Sequence, residues 1–293
     1  MKNRFLAALG MAVFAPALAF AQQKEVDELL AADRAYSAAA AKVDIIAGLT
    51  PMFSREVIMP VPGPSAKFAK GVDSVVASIR ANPNNAGAKV EWTPVRGGIS
   101  ADGQHGFTFG FMTIHRPDGS DVPAKYLSYW VKEGGVWKVA AYKRAGRPAG
   151  EVSTDLMAPS LPAKMVAPSA NVADFSKSLG DAEQSFSDEA GVMGLSAAFL
   201  KYGRPDAMNM GRLPGFTIGG EAISKSVEPP DQVGKPSPLV WKSDYAVIVA
   251  SSGDLGVSIG WIHQKAEPNA TGFPFFTIWR RDNITSPWRY IAE

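Results

Sequence analysis

Val26, Leu29, Leu30, Asp33, Tyr36 and Ser37 stand three and four residues apart with alanines filling the turns between them. That spacing predicts a long first helix. Phe175, Leu179, Ala182, Phe186 and Ala190 form a second stripe of the same kind, with Gly191 and Gly194 placed to break or bend it. Val72 to Ile79 and Ala222 to Val227 read as later, shorter helices. After these the period drops to two. Lys89 to Val95, His105 to His115, Lys125 to Lys132 and Val136 to Lys143 are β-branched or aromatic runs separated by Gly, Pro and Asp, and they predict strands. Gly134-Gly135 predicts a hairpin turn, whereas its later counterpart, Asp282 to Ser286, is a longer loop. Between Gly106 and Ile114 one face carries Phe107, Phe109 and Phe111 and the other Thr108, Gly110, Met112 and Ile114. Neither is a solvent face, so both sides of this strand are expected to be covered.

The two stripes belong to an internal duplication with an offset of about 150 residues. Ala32-Asp33-Arg34-Ala35-Tyr36-Ser37 is answered by Ala182-Glu183-Gln184-Ser185-Phe186-Ser187, and Val90-Glu91-Trp92 by Leu239-Val240-Trp241. The stretch Ala101 to Gly110 is answered by Ser251 to Gly260, keeping Gly106 and Gly110 as Gly256 and Gly260. Tyr126 to Trp130 with Trp137-Lys138-Val139 is answered by Phe275 to Trp279 with Trp288-Arg289-Tyr290. Between the copies, Pro148, Pro159, Pro162 and Pro168 lie among Ala, Ser and Gly, which predicts a semi-extended linker. The expected organisation is a leader over 1–21, a first domain over 22–145, a linker over 146–172 and a second domain over 173–293.

Helices followed by a meander that contains a Gly-x-x-x-Gly strand, an aromatic-x-x-x-Trp strand and a closing Trp-[Lys/Arg]-[Val/Tyr] strand resemble the nuclear transport factor 2-like superfamily, and within it the SnoaL-like domains of unknown function. The resemblance implies an α+β, cystatin-like fold present twice in tandem. Each copy would wrap a curved antiparallel sheet around helices to make a cone with an internal pocket. It also implies that the convex face meets another sheet, in similar proteins that of a dimer partner. A fused second copy supplies that partner in the same chain, so an intramolecular pseudo-dimer is expected, with room for a further homo-oligomer. Proteins of this fold include ketosteroid isomerase, scytalone dehydratase, limonene epoxide hydrolase and polyketide cyclases, beside binding modules without activity. The fold therefore does not decide the function.

Composition narrows the setting. Met1-Lys2-Asn3-Arg4, the apolar run Phe5 to Phe14 and the small-x-small Ala19-Phe20-Ala21 have the form of a cleaved secretory leader. The apolar run is shorter than the roughly 20 residues of a bilayer span, so no membrane anchor is expected. The chain has no cysteine, which excludes a lipid-bearing cysteine, disulfides, thiolate nucleophiles and Cys-ligated zinc. A periplasmic or secreted location follows as the expectation. Lys+Arg number 30 against 28 Asp+Glu, and two of those bases lie in the leader. A near-neutral chain has no electrostatic footprint for nucleic acid.

Candidate chemistry is sparse. Only His105, His115 and His263 are present, none in a paired ligand motif, so no metal site is expected. No phosphate-cradling loop or dinucleotide fingerprint occurs, so no cofactor is expected either. Gly256-Val257-Ser258-Ile259-Gly260 has the letters of a nucleophile elbow, but it reads as mid-strand rather than as a strand-to-helix turn. Asn269-Ala-Thr271 and Asn283-Ile-Thr285 match glycosylation acceptors and are treated as coincidence beside a bacterial-looking leader. Catalysis would then rest on a carboxyl or imidazole desolvated inside a cone. Asp33, with Glu183 in the same place of the second copy, is one candidate, set against an ordinary helix-dipole or capping role. Glu56, with Asp206 as its counterpart, is another, set against a turn role. His105, which has no histidine counterpart, is the third, set against an exposed turn residue. Tyr36, Met59, Trp92, Tyr129 and Trp130 could line an apolar pocket in the first cone, with Met52 beside them, or could simply be core. Of the two cones, the second is expected to be the one that has lost its pocket. The leading expectation is a module that binds a small apolar or aromatic molecule. The alternatives are a cofactor-independent lyase, isomerase or hydrolase, and a scaffold whose cones are filled by their own side chains.

Overall fold

A computed structural model describes residues 14–267 and 269–293, with side chains described from Ala21 onward. The expected leader lies largely outside the described residues, and its cleavage point, Ala21, falls within the first helix. Among the described residues no helix is long and apolar enough to cross a membrane.

The first half runs α1 (Phe14–Ala40), α2 (Ile45–Leu49), β1 (Phe53–Val61), β2 (Lys67–Lys70), α3 (Val72–Ala81), β3 (Lys89–Ile99), β4 (His105–His115), β5 (Asp121–Glu133) and β6 (Val136–Gly146). The second repeats it as α4 (Val172–Met193), α5 (Leu195–Tyr202), β7 (Gly203–Asn209), β8 (Thr217–Ile218), α6 (Gly220–Ser226), β9 (Leu239–Val249), β10 (Leu255–Gln264), β11 (Phe273–Arg280) and β12 (Arg289–Ala292). The sheets have matching strand orders, β2-β1-β6-β5-β4-β3 and β8-β7-β12-β11-β10-β9. These are two tandem α+β domains.

Each sheet is mixed rather than wholly antiparallel, because β1 pairs with β6 and β7 with β12 in parallel. The chain leaves β1 through β2 and α3 and re-enters at the far edge. The meander therefore returns to β1 running the same way. β1 and β7, with the short β2 and β8 beside them, are the strands that periodicity does not predict. Their pairings shift register at a bulge, and β1 has the burial pattern BBeeBBBBi, which breaks the period of two. Gly191 stays inside α4, and the break falls at Gly194, whose φ of 90° suits a glycine between two helices.

The Gly-x-x-x-Gly spacing follows from how closely other atoms approach β4 and β10. A Cβ on Gly106 would lie 2.5 Å from Leu29 of α1, and one on Gly256 would lie 2.7 Å from Leu179 of α4, so these glycines let the helix settle onto the sheet. A Cβ on Gly110 or Gly260 would instead strike a backbone carbonyl, of Thr93 or Lys242, beside the bulges of β3 and β9.

Three apolar clusters form among the described residues. One lies between the first helices and their sheet and one between the second helices and theirs. The third lies between the two sheets, where Phe107, Phe109 and Leu127 share a core with Val257, Ile259 and Phe276. Both faces of β4 are thus buried. Polar bonds cross the same seam in a near-symmetric pattern. Asp102 accepts from Ser251 Oγ at 2.6 Å and from the Ser252 amide at 2.9 Å, while Asp254 accepts from the Ala101 amide at 3.0 Å. Between Gly146 and Val172 there is no helix, and residues 157–160 run beside β3 with the Met157 amide donating to Val95 at 2.7 Å and that of Ser160 to Gly97 at 2.9 Å. The connector thereby covers an otherwise open sheet edge.

Gly260→Ala should lower the unfolding free energy by at least about 2 kcal/mol, since backbone has to move. Gly146→Ala, where nothing lies within 4 Å of the added carbon, should change it by less than about 0.5 kcal/mol. Paired urea titrations measure both.

Candidate functional site

Each half buries one carboxylate on its long helix. Asp33 is 1% exposed; its Oδ1 accepts from the indole Nε1 of Trp92 at 2.6 Å and its Oδ2 from the hydroxyl of Tyr126 at 2.7 Å. One turn along, Ser37 Oγ accepts the Trp92 backbone N–H at 2.7 Å. In the second half Glu183 accepts from Trp241 Nε1 at 2.7 Å and from Trp279 Nε1 at 3.0 Å, Ser258 Oγ also donates to it, and Ser187 Oγ accepts the Trp241 amide at 2.8 Å. Acid, serine and tryptophan form the same clamp twice, tying helix to sheet. Both acids lie well inside their helices, so the capping and dipole reading is corrected. Ser258 is mid-strand and serves this clamp. Burial raises the pKa of both acids against the pull of their donors, that of Glu183 to about 6.

A cavity of about 780 Å³ opens in the second half, walled by Phe186, Phe199, Met210, Trp241 and Phe275 with Glu183 among the lining groups. The expectation that the second cone is the closed one is therefore overturned. Strand register shows why. Ala141 pairs with Ile58 and Ala292 with Met208, so Tyr142 and Glu293 occupy equivalent places, as do Met59 and Asn209. In the first half Tyr142 is fully buried, its ring 5.6 Å from that of Phe53, and Met59 is buried in the same cluster. In the second half Asn209 donates to Glu293 at 2.5 Å, and both side chains line the cavity. Two bulky plugs have become a polar pair.

The first half also reaches into this space. Lys143, half-buried on β6, lines the cavity and donates to the Phe276 carbonyl at 3.3 Å, with its ammonium 4.9 Å from the Phe276 ring centre. Burial lowers the pKa of Lys143 and raises that of Glu293. Lys125 crosses as well, donating to the carbonyls of Met210, Leu213 (2.8 Å) and Gly215 (2.9 Å) and so holding the loop at the cavity mouth.

The residues singled out from sequence do not meet in one pocket. Tyr36, Met59, Trp92 and Trp130 belong to the packed core of the first half. Tyr129 belongs to the core between the sheets, because alternation along β5 turns it away from Tyr126 and Trp130. His105 joins it there, half-buried rather than in an exposed turn, with Nδ1 2.9 Å from the Tyr129 hydroxyl, and burial lowers its pKa. Glu56 lies on β1, not in a turn, with its side chain 71% exposed beside Lys70. Its counterpart Asp206 pairs with Arg96 across the seam and with Arg204. Asp33 has both oxygens engaged. Lys143, Asn209 and Glu293 escape a reading of motifs, although Tyr142 and Met59 standing opposite Glu293 and Asn209 was a signal available in the repeat. Among the described residues no cluster of three or more acids and histidines is placed to hold a metal ion.

No protein-family model matches the chain, and no curated protein matches it. Solved structures are similar to about half of it at a time. A nuclear transport factor 2-like protein with a cystatin-like fold from Novosphingobium aromaticivorans is 15% identical over 47% of this chain and 92% of its own, with a TM-score of 0.37. A ketosteroid isomerase-like protein from Erwinia carotovora atroseptica is 20% identical over 43% and 98%, with a TM-score of 0.33. A nuclear transport factor 2-like protein of unknown function from Pseudomonas putida is 11% identical over 46% and 94%, with a TM-score of 0.34. The strand order and the helices on each sheet, shared by the two halves, make them two tandem α+β domains.

A carboxyl whose folded pKa is raised stabilises fully below its unfolded value and loses that contribution as pH rises through the folded one. With Glu183 raised from 4.5 to about 6, wild type should lose about 1.5 kcal/mol relative to Glu183→Gln between pH 4.5 and pH 7. Denaturant unfolding of both proteins at the two pH values tests this; a constant difference would mean the carboxyl does not titrate in that window.

Proposed function

We propose that this protein binds a small apolar or aromatic molecule in the cavity of its second half. The observation that carries the reading is the exchange of Tyr142 and Met59 for Glu293 and Asn209 in two cones of the same strand order, the second of which holds an aromatic-walled space with a few convergent polar groups. The first half is then the structural copy, filled by its own side chains, and the two halves act as an intramolecular pseudo-dimer. Residues 1–21 are proposed as a cleaved leader and the periplasm or the exterior as the working location, on the basic, apolar and small-x-small pattern of that segment.

A lyase or isomerase acting through Glu183 is the alternative. Glu183 lines the cavity, but its oxygens already accept from two indoles and a hydroxyl, and the matching acid Asp33 is held the same way in a packed core. Glu183 is therefore assigned to the clamp.

N-phenylnaphthylamine, a neutral aromatic fluorophore, should bind with one site per chain. Asn209→Met with Glu293→Tyr, which transplants the plugs of the first half, should weaken it at least about tenfold while leaving the unfolding midpoint near that of wild type. Unchanged binding in the folded double variant would remove the cavity as the site.

A further inference from the structure

Two lysines of the first half carry ammonium groups into the second, and they are served differently. Lys125 ends among four carbonyls, of Met210, Gly211, Leu213 and Gly215. Its hydrogens are spent on holding a loop. Lys143 ends on the cavity wall with a single bond of 3.3 Å, an aromatic ring below it and, among the described residues, no ion pair. An amine so poorly solvated releases its proton more readily than a surface lysine, and burial moves its pKa in that direction. Glu293 lines the same cavity, and burial there favours its protonated form. An apolar space with a nucleophilic amine and a carboxylic acid on its wall suits a carbonyl group, because the amine can attack the carbon while the acid protonates the oxygen.

We propose that the cavity takes an apolar aldehyde or ketone and that Lys143 forms a reversible imine with it. This rests on the reading of the cavity as a small-molecule site. In its free-base form Lys143 Nζ uses its lone pair to bond the carbonyl carbon as the C=O π pair moves onto oxygen. That oxygen takes the Glu293 proton, and the nitrogen returns one proton to the Glu293 carboxylate. Glu293 then protonates the hydroxyl of the carbinolamine, and water leaves as the nitrogen lone pair forms C=N. The last nitrogen proton restores the Glu293 acid. One amine and one carbonyl thus give one imine and one water, and no oxidant or reductant is consumed.

The test is reductive trapping of the full chain at pH 7 with benzaldehyde and sodium cyanoborohydride, followed by peptide mapping. The benzyl adduct should appear on Lys143 at least about tenfold faster than on Lys125 or on exposed Lys67. Glu293→Gln should slow the label at Lys143 about tenfold and leave Lys67 unchanged. Label spread over exposed lysines without preference for Lys143, or indifferent to Glu293→Gln, overturns the imine chemistry. N-phenylnaphthylamine binding on the same sample separates the two ideas. Binding without label at Lys143 overturns the imine and keeps the cavity; absence of both overturns the two together.

Discussion

A carboxylate buried in the middle of a helix persists only where hydrogen-bond donors converge on it, and that requirement organises both halves of this protein. Asp33 and Glu183 each recruit the indole of the tryptophan on the edge-side strand, and the serine one turn along holds that tryptophan by its backbone. The helix is thereby pinned across the sheet at a defined height. Glycines at 106 and 256 let a leucine from the same helix reach the sheet floor. This pair of contacts, one polar and one steric, seats each long helix on its sheet.

Given the same frame twice, the halves diverge in what fills it. In the first, Tyr142 and Met59 complete a close-packed core, and apolar groups of this size leave little room once packed. In the second, the equivalent positions hold a hydrogen-bonded Asn209–Glu293 pair on the cavity wall. The first half still contributes to that site through the shared seam. Its Lys125 fixes the loop at the cavity mouth, and its Lys143 forms part of the wall. Under the proposed function the second copy binds and the first is filled by its own side chains, yet both halves contribute to the cavity wall.

Much of the architecture is legible in the sequence alone. The offset between the acid, tryptophan and glycine positions marked the duplication, and the long helices and the four-strand meander followed from period alone. β1 and β7 were not legible, because a bulge in each interrupts alternation and Pro60 and Pro205 argue against a strand. The site was read least well. His105 and Tyr129 are polar groups on an aromatic-rich strand pair, and only the sheet-to-sheet packing reveals that they face the seam. Asp33 and Glu183 were visible as acids on an apolar stripe, but the indoles that hold them come from about 60 residues away. Glu293 keeps the same offset from Tyr142 that Trp288 keeps from Trp137, but no motif marks either position as part of a cavity.

The most direct measurement is a crystal structure of the protein grown with N-phenylnaphthylamine. The account predicts density for the fluorophore between Phe186, Trp241 and Phe275 of the second half, with Tyr142 and Met59 still closing the first. Density inside the first cone, or only on the outer surface with the second cavity collapsed, would contradict it.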